Sequence, residues 1–465
     1  MMHRRDFLRA SLGGLALGRF ALGELLAQDP AVATLPHHAA KAKRVIYLHM
    51  AGSPSQLDLL DPKPLLAEHD RKPMPESFTA KERFAFIKGT PKVLASPYAF
   101  ARHGDSGQWV SELLPHTAAI ADKLTVVRSM RTTQFNHAPA QIFLNSGHHL
   151  VGRPSFGSWL SYGLGSLNAN LPAFVVMLSG QFGPSGGAAC WNNGFLPSEH
   201  QGVRLFDGPD PVLFLNNPEG VDRERRRGEL DTLGALNREA AADHGDPETL
   251  ARIQQYELAF RMQAEVPELV DLSTEDPRTL EEYGVVPGQP SFAANCLLAR
   301  RMAEAGVRFI QLYDWGWDSH GTNPSDDIIT SLPEQCRRTD QACAALVLDL
   351  ERRGLLEDTL VVWGGEFGRT PMNEERNGST FLGRDHHPHA FTMWFAGGGM
   401  KPGVAHGATD DFGYFITKGE VGVHDLHATL LHLLGIDHEA FTYAHQGRDF
   451  RLTDVSGRVV GDILA

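Results

Sequence analysis

Short apolar runs recur along the chain, and most of them are separated by longer stretches with a helical period. The runs are rich in β-branched and aromatic residues, which favours strands. They lie at residues 44–50, 123–128, 173–177, 307–313, 359–363 and 391–396. Alternation of such strands with helices is typical of a parallel sheet that is covered on both faces. The pattern therefore predicts an α/β fold with a mainly parallel central sheet.

One long stretch differs from this pattern. Between residues 219 and 290 the sequence becomes charged and rich in Ala and Leu, with a helical period. Its arginines at 223 and 225–227 are interleaved with acidic residues, so we interpret them as a solvated helix face and not as a basic patch. We predict that residues 219–290 form a helical insertion within one α/β domain that spans residues 40–465.

The chain also predicts a clear helix near residues 424–435. Asp425 is a suitable residue for the amino-terminal cap, and Gly435 is a typical helix stop. The leucines between them share one face, which indicates packing on the sheet. We expect His427 and His432 to be packing or surface residues and not metal ligands.

The amino terminus indicates export. Arg4 and Arg5 form a twin-arginine pattern, and small and apolar residues follow up to Ala27. This run is short, Gly-rich and broken by Arg19, so it is a poor membrane span and a good export signal. We interpret residues 1–33 as a twin-arginine signal and linker, and we expect a periplasmic or secreted protein without a transmembrane helix in the mature chain.

Composition narrows the possible partners. The chain has 465 residues, of which 42% are hydrophobic, and this is enough for a sizeable core. Its net charge of −13 argues against a general nucleic-acid binder, because such proteins need a basic face. The four cysteines give no readable disulfide framework, and we expect them to be core thiols. They are Cys190, Cys296, Cys336 and Cys343.

Carboxylates and histidines follow two of the predicted strands. Asp318 and His320 come after the run at 307–313, and Glu366 comes after the run at 359–363. Ligands of open parallel sheets bind just past the carboxyl ends of the strands. Carboxylate and imidazole groups are typical ligands of zinc, manganese and iron. The sequence therefore predicts a divalent metal centre at this edge, with zinc, manganese or calcium as the ion and one or two ions bound.

The segment 385–389 adds three more histidines to the candidate ligands. Pro388 biases His387 toward an extended backbone, so His386 and His387 should face opposite ways. We expect one of them to be a metal ligand and the other to donate to a substrate. His389 is a further candidate ligand in this segment.

Four motifs together resemble one protein family. They are Gly-Ser-Pro-Ser-Gln-Leu-Asp at 52–58, Trp-Asp-Ser-His-Gly at 317–321, Gly-Gly-Glu-Phe-Gly-Arg-Thr-Pro at 364–371 and Asp-His-His-Pro-His at 385–389. The combination resembles an exported, sulfatase-like family of unknown function within the alkaline phosphatase superfamily, over nearly the whole mature chain. The resemblance implies a three-layer α/β/α sandwich with a metal site.

The chain departs from the sulfatase pattern at the residues that carry the reaction. His137 is spaced like the sulfatase nucleophile, so a formylglycine made from Cys or Ser cannot form there. Phe367 stands where the superfamily carries a histidine of its metal-binding pair. The first strand ends in Met50 where an aspartate is usual, and Asp58 is a candidate substitute for that ligand. The resemblance therefore implies the fold more directly than the reaction.

Two functions of different classes are compatible with these residues. The first is an exported metal-dependent hydrolase of sulfate or phosphate esters, on a small molecule or a polysaccharide. His137, Ser55 and Arg369 would then contact the ester, and the metal would activate water, so that no side-chain nucleophile is needed. The second is a catalytically inactive relative that binds an anionic glycan or a partner protein.

Overall fold

A central sheet dominates the computed structural model, which describes residues 35–465 except 81, 207–210, 213–214 and 245–246. The predicted export signal at 1–33 lies outside the described residues. The strands are β1 (Arg44–Ala51), β2 (Lys92–Val93), β3 (Phe100–His103), β4 (Gln108–Ser111), β5 (Thr125–Arg131), β6 (Phe174–Ser179), β7 (Val203–Arg204), β8 (Phe309–Trp315), β9 (Thr359–Gly364), β10 (Gly368–Asn373), β11 (Arg384–His387), β12 (Phe391–Ala396), β13 (Val404–His406), β14 (Ala408–Thr409), β15 (Ile416–Lys418), β16 (Val421–Gly422), β17 (Tyr443–His445) and β18 (Arg448–Phe450).

The sheet is mainly parallel, as predicted. Its order is β13-β5-β12-β9-β1-β8-β6-β7, and β16 also pairs with β5. Strand β12 runs antiparallel to both of its neighbours, β5 and β9, whereas the other pairs in this sheet are parallel. All the strands that the apolar runs predicted are present. Several of them extend further toward their carboxyl ends, because β8 stays paired with β6 as far as Asp314 and with β1 as far as Trp315.

Alternate residues of the central strands face two separate cores, which is why these strands are mostly apolar on both faces. In β1, Ile46, Leu48 and Met50 face one core, and Val45 and Tyr47 face the other. The helices that cover the two faces supply many of the other side chains of each core, and loops supply the rest. The arrangement is therefore a three-layer α/β/α sandwich.

The helices are named in chain order. They are α1 (Gln56–Leu59), α2 (Pro64–Glu68), α3 (Glu76–Thr79), α4 (Pro115–Ala119), α5 (His137–Ser146), α6 (Phe156–Leu164), α7 (Arg223–His244), α8 (Pro247–Val270), α9 (Pro277–Tyr283), α10 (Phe292–Glu304), α11 (Ser331–Arg352) and α12 (Val423–Leu433). Helices α10 and α11 close the first core, and α5, α6 and α12 close the second. Among the described residues, no helix has both the length and the apolar character that a membrane span requires.

Several local predictions can be compared with these elements. Helices α7 to α9 lie within residues 219–290, although the division of the chain into units stays a prediction. Helix α12 begins at Val423 with Gly422 at the cap position, and Asp425 lies in its first turn, where its carboxylate accepts from the backbone N–H of Gly422. His427 is buried and donates to the Leu144 carbonyl, which confirms a packing role. The four cysteines are buried free thiols, also as expected.

Candidate metal centre

Four side chains from three parts of the chain meet at the carboxyl edge of the central sheet. Asp318 and His320 lie in the loop after β8. His137 is the first residue of α5, which follows β5, and His386 lies in β11. Strand β11 belongs to a small sheet in the order β11-β10-β2, and β10 follows directly on the end of β9. The four residues therefore meet past the carboxyl ends of the parallel strands, which is where open α/β sheets bind their ligands.

The ligand atoms of these four residues converge on a small volume, in which all lie within 4.8 Å of one another. Asp318 Oδ1 is 2.9 Å from His320 Nε2 and 3.3 Å from His386 Nε2. The two Nε2 atoms of His320 and His386 are 3.1 Å apart. Asp318 Oδ2 lies 3.2 Å from His137 Nε2. Each histidine thus presents the same ring nitrogen to the same carboxylate.

The other ring nitrogen of each histidine is occupied by an acceptor. An Nδ1–H that donates to a carboxylate or carbonyl fixes the ring and leaves Nε2 as the nitrogen with the free lone pair. Metal-binding histidines are held in this way in most metalloproteins. The acceptors are the Glu366 carboxylate for His137, the Glu374 carboxylate for His320 and the Phe135 carbonyl for His386.

This arrangement places two lone pairs against each other. With Nδ1 protonated in both rings, the Nε2 atoms of His320 and His386 are both acceptors, and acceptors at 3.1 Å repel unless a cation or a proton lies between them. Without a metal ion, a proton on one of the two rings would have to fill this role. Burial opposes that charge, but hydrogen bonds to Asp318 and Glu374 raise the pKa of His320. Burial lowers the pKa of His386 to about 4.

Asp318 is held in its charged form at the centre of the cluster. Burial opposes ionisation, but the adjacent Arg369 guanidinium, with smaller contributions from the neighbouring histidine rings, holds the pKa of Asp318 well below its usual range. Its side chain is 33% exposed, which leaves the cluster open on one side. The site can therefore hold a cation at Asp318 and still admit a small anionic group from solvent.

Glu366 was predicted as a ligand, but the structure places its carboxylate behind His137. The side chain is fully buried and accepts from His137 Nδ1 at 2.6 Å and from Gln141 Nε2 at 2.8 Å. It also accepts from the Gly52 amide at 3.1 Å and from His49 Nε2 at 3.2 Å. These donors occupy both oxygens, so Glu366 orients His137 and does not reach the cluster itself.

Arg369 was predicted to contact the ester, but its guanidinium is 1% exposed. It donates to Asp318 Oδ1 at 2.5 Å and to the Ser53 carbonyl at 3.1 Å. It also donates to the carbonyls of Gly52 and Arg384. Its donors are thus used within the protein, and Arg369 supports Asp318 from behind.

Asp58 and Ser55 form a separate buried group. Asp58 makes a two-point ion pair with Arg384, at 2.7 and 3.0 Å, and both side chains are fully buried. Ser55 donates to Asp58 at 2.5 Å and is also buried. Neither the predicted ligand Asp58 nor the predicted ester-binding Ser55 is therefore available to a metal or substrate, because each is already paired.

His387 and His389 also lie outside the cluster. His387 faces the opposite side of β11 from His386, as the backbone alternation predicts, and donates to the Tyr414 carbonyl at 2.6 Å. Burial lowers the pKa of His387 to about 3. His389 pairs with Glu82 at 2.9 Å. Both predicted ligands thus have partners elsewhere, and His386 is the member of the segment 385–389 that joins the cluster.

Several groups at the site were not predicted from the sequence. Glu374 accepts from His320 on one oxygen and from Arg376 Nε on the other. Asp385 could join Glu374 and His320 in a second group of possible ligands, but its Oδ2 already accepts from the backbone amides of residues 86 and 87. Glu374 and the adjacent Glu375 differ in the residues that surround them in the folded protein, so the sequence alone could not show that Glu374 contacts His320.

Comparison with known proteins identifies the family. Residues 42–464 match the family described as "Protein of unknown function (DUF1501)", and the chain belongs to this family. This confirms the resemblance that the four motifs indicated. No curated protein matches the sequence.

Solved structures give weak similarities. The PsFucS1 sulfatase from Pseudoalteromonas sp. is 13% identical with a TM-score of 0.35, over 90% of this chain and 76% of that chain. The alkaline phosphatase from the Antarctic bacterium TAB5 is 10% identical with a TM-score of 0.34, over 85% and 98%. The lipoteichoic acid synthase LtaP from Listeria monocytogenes is 10% identical with a TM-score of 0.32, over 90% and 79%. At these scores the similarities carry no conclusion about activity.

Proposed function

We propose that this protein is a metal-dependent hydrolase of sulfate or phosphate esters. One observation carries the proposal: three histidines with occupied Nδ1 atoms direct their Nε2 atoms at one aspartate. His137, His320 and His386 surround Asp318, and the Nε2 atoms of His320 and His386 lie 3.1 Å apart, an arrangement that a bound cation would stabilise by accepting both lone pairs.

The distances within the cluster fit a small transition-metal ion. Zinc binds nitrogen and oxygen ligands at about 2.0–2.2 Å in a tetrahedron, so two ligand atoms of one ion lie about 3.3 Å apart. The distances in the cluster are 2.9, 3.1, 3.2 and 3.3 Å. Asp318 Oδ1, His320 and His386 therefore need little rearrangement to bind one ion. His137 contacts the other oxygen of Asp318, and its Nε2 lies within 4.8 Å of the remaining ligand atoms.

The donor set also narrows the identity of the ion. Calcium takes oxygen ligands, usually six to eight of them, and a site with three imidazoles does not suit it. Imidazole with one carboxylate suits zinc, iron and manganese. We propose one ion of this group, held by His137, Asp318, His320 and His386, and calcium is the least suitable of the ions considered.

A bound ion of this kind would act as a Lewis acid toward a sulfuryl or phosphoryl oxygen and would lower the pKa of a coordinated water. The protein's own part is to keep the ligands fixed and charged. Glu366 and Glu374 hold two of the rings by buried hydrogen bonds, and Arg369 keeps Asp318 ionised. Ser53 and Ser55 are buried and hydrogen-bonded, which supports a water nucleophile over a serine.

The proposal includes the setting of the reaction. The twin-arginine pattern at Arg4 and Arg5 supports export to the periplasm or beyond. There the substrate would be an ester on a small molecule or a polysaccharide. The net charge of −13 offers no support for nucleic-acid binding.

A panel of aryl sulfates, aryl phosphates and sulfated oligosaccharides tests the function. The metal-loaded full chain should cleave at least one class, and His386→Ala should lose this activity by removing a ligand. His389→Ala is the matched control, because His389 lies three residues away and pairs with Glu82 outside the cluster. Metal-loaded protein that binds sulfated glycans and cleaves no ester would instead support the inactive, glycan-binding alternative.

A further inference from the structure

We propose that Arg376 binds the anionic oxygens of the substrate at the entrance of the metal centre. The proposal rests on the function proposed above and assigns a specificity residue to it. Arg376 lies outside the motifs that indicated the family, and nothing in its sequence context distinguishes it from the other surface arginines.

Arg376 is tied to the metal centre through one carboxylate. Its Nε donates to one oxygen of Glu374, and the other oxygen accepts from Nδ1 of His320. A single buried carboxylate therefore sets the position of both the guanidinium and a cluster histidine. The guanidinium and the His320 ring therefore contact the same carboxylate, which places Arg376 next to the cluster.

The ring of Phe86 holds the other face of the guanidinium. Arg376 Cζ lies 4.0 Å from the centre of this ring, a distance typical of a cation–π contact. The same ring makes edge contacts with His320 and His386, with centroids 5.1 and 5.4 Å apart. The backbone amide of Phe86 is bound to Asp385 at 2.8 Å. Arg376 is thus supported on a ring that itself covers two cluster histidines.

One donor of Arg376 has no partner. Its Nη2 is buried and makes no hydrogen bond to any residue that the structure describes, although the side chain as a whole is 27% exposed. A buried N–H group without an acceptor lowers the stability of the folded protein, and the free-energy penalty is larger when the group is charged. The two other arginines near the site, Arg369 and Arg384, differ in this respect, because their end groups donate to carboxylates and carbonyls within the protein.

The chemistry of this donor selects the ligand. A guanidinium presents a planar fork of N–H groups that matches two oxygens of a sulfate or phosphate group. With one nitrogen fixed by Glu374, the remaining donors are already oriented, so little side-chain entropy is lost on binding. Arg376 would therefore favour an ester that keeps a negative charge, namely a sulfate or phosphate monoester, over a neutral ester.

Calorimetric titration of the metal-loaded full chain with inorganic phosphate and with inorganic sulfate tests this assignment. Arg376→Gln should bind at least one of these ions about 10- to 100-fold more weakly than the wild type, which is the usual cost of losing a charged hydrogen bond. Arg376→Lys should retain part of the affinity, because it keeps the charge and loses the fork. Arg448→Gln is the control: this guanidinium also lies over a phenylalanine ring and pairs with an aspartate, but neither partner touches the cluster.

Metal content is measured on each sample, so that the two proposals can fail separately. Wild-type protein that takes up no metal contradicts the hydrolase proposal, and the titration is then run on the metal-free chain. Anion binding that Arg376→Gln weakens and Arg448→Gln does not supports the role of Arg376 in either state. Equal binding by the wild type and Arg376→Gln at equal metal content overturns it, and so does a wild type that binds neither ion.

Discussion

Replacing Glu374 by Gln tests how the site holds its histidines. Each carboxylate oxygen of Glu374 accepts from a different donor, Nδ1 of His320 and Nε of Arg376. A glutamine amide offers one oxygen and one NH₂ group. The substitution therefore keeps the shape of the side chain but turns one of the two contacts into a donor facing a donor. It also removes the buried negative charge that keeps the His320 ring oriented.

The expected loss of metal affinity follows from the usual contribution of a carboxylate that holds a metal-binding histidine. Loss of the carboxylate behind a metal-binding histidine weakens metal affinity by about 10- to 100-fold, which corresponds to about 1.4 to 2.7 kcal/mol. At a free metal concentration 100 times the wild-type Kd, binding stabilises the wild-type fold by about 2.7 kcal/mol. A variant that binds 100-fold more weakly gains only about 0.4 kcal/mol under the same conditions.

Two measurements test the predicted loss of metal affinity and of metal-dependent stability in Glu374→Gln. Competition with a chelating dye gives the Kd of the metal, and urea unfolding with and without metal gives the stabilisation. Glu375→Gln is the matched control, because Glu375 is the next residue in the chain and its partner is Lys92 on the surface. An unchanged Kd and an unchanged metal-dependent stabilisation in Glu374→Gln would refute the reasoning. Equal losses in Glu375→Gln would also refute it.

Further predictions concern the parts of the fold that surround the site. Asp58→Asn should lower the free energy of unfolding by about 3–5 kcal/mol, because it leaves the buried charge of Arg384 unpaired. Urea unfolding measures this change. A variant that is as stable as the wild type but has lost its metal would contradict the structural role and support Asp58 as a ligand. Burial lowers the pKa of His427 to about 3 in the folded protein. Below pH 6.5 this histidine is therefore protonated in the unfolded chain but not in the folded one, so the free energy of unfolding falls as the pH is lowered. In the wild type, protonation of His427 in the unfolded chain lowers the free energy of unfolding by about 2 kcal/mol between pH 6.5 and 5, and His427→Gln should remove this part of the pH dependence. Urea unfolding at the two pH values measures it, and an unchanged pH dependence in His427→Gln would contradict it.

The sheet could be predicted because its buried strands appear in the sequence as short runs of apolar residues. Strands such as β1 and β9 are covered on both faces, so every position is buried, most positions are apolar and the run is easy to recognise. The antiparallel direction of β12 was not predictable in this way, because an apolar run has no direction. It depends on the chain between β9 and β12, which turns through the small sheet of β10 and β11.

The candidate site was predictable only in part, because residue type does not give side-chain direction. Asp318 and His320 could be placed at the edge of the sheet, since a short loop carries both directly after β8. Glu366 sits at the same edge, but its carboxylate points behind His137, where buried donors surround it. Glu374 was missed, because its role depends on a ring nitrogen of His320 that is distant in sequence.

The same limit explains the residues that the structure places elsewhere. Asp58 has the residue type of a ligand, but the buried guanidinium of Arg384 takes both of its oxygens. Which of two buried partners a carboxylate binds, a metal or an arginine, depends on packing between segments more than 300 residues apart along the chain. Nothing in the local sequence at residues 52–58 carries that information.

Metal content of the purified full chain tests the central claim most directly. Elemental analysis of the wild type, His386→Ala and the control His389→Ala would be made on folded protein after exposure to zinc, manganese or iron and removal of free ion. The cluster of four residues predicts one transition-metal ion per chain in the wild type and in His389→Ala, and its loss in His386→Ala. Wild-type protein that retains no ion, or His386→Ala that retains as much as the wild type, would contradict a metal centre at Asp318.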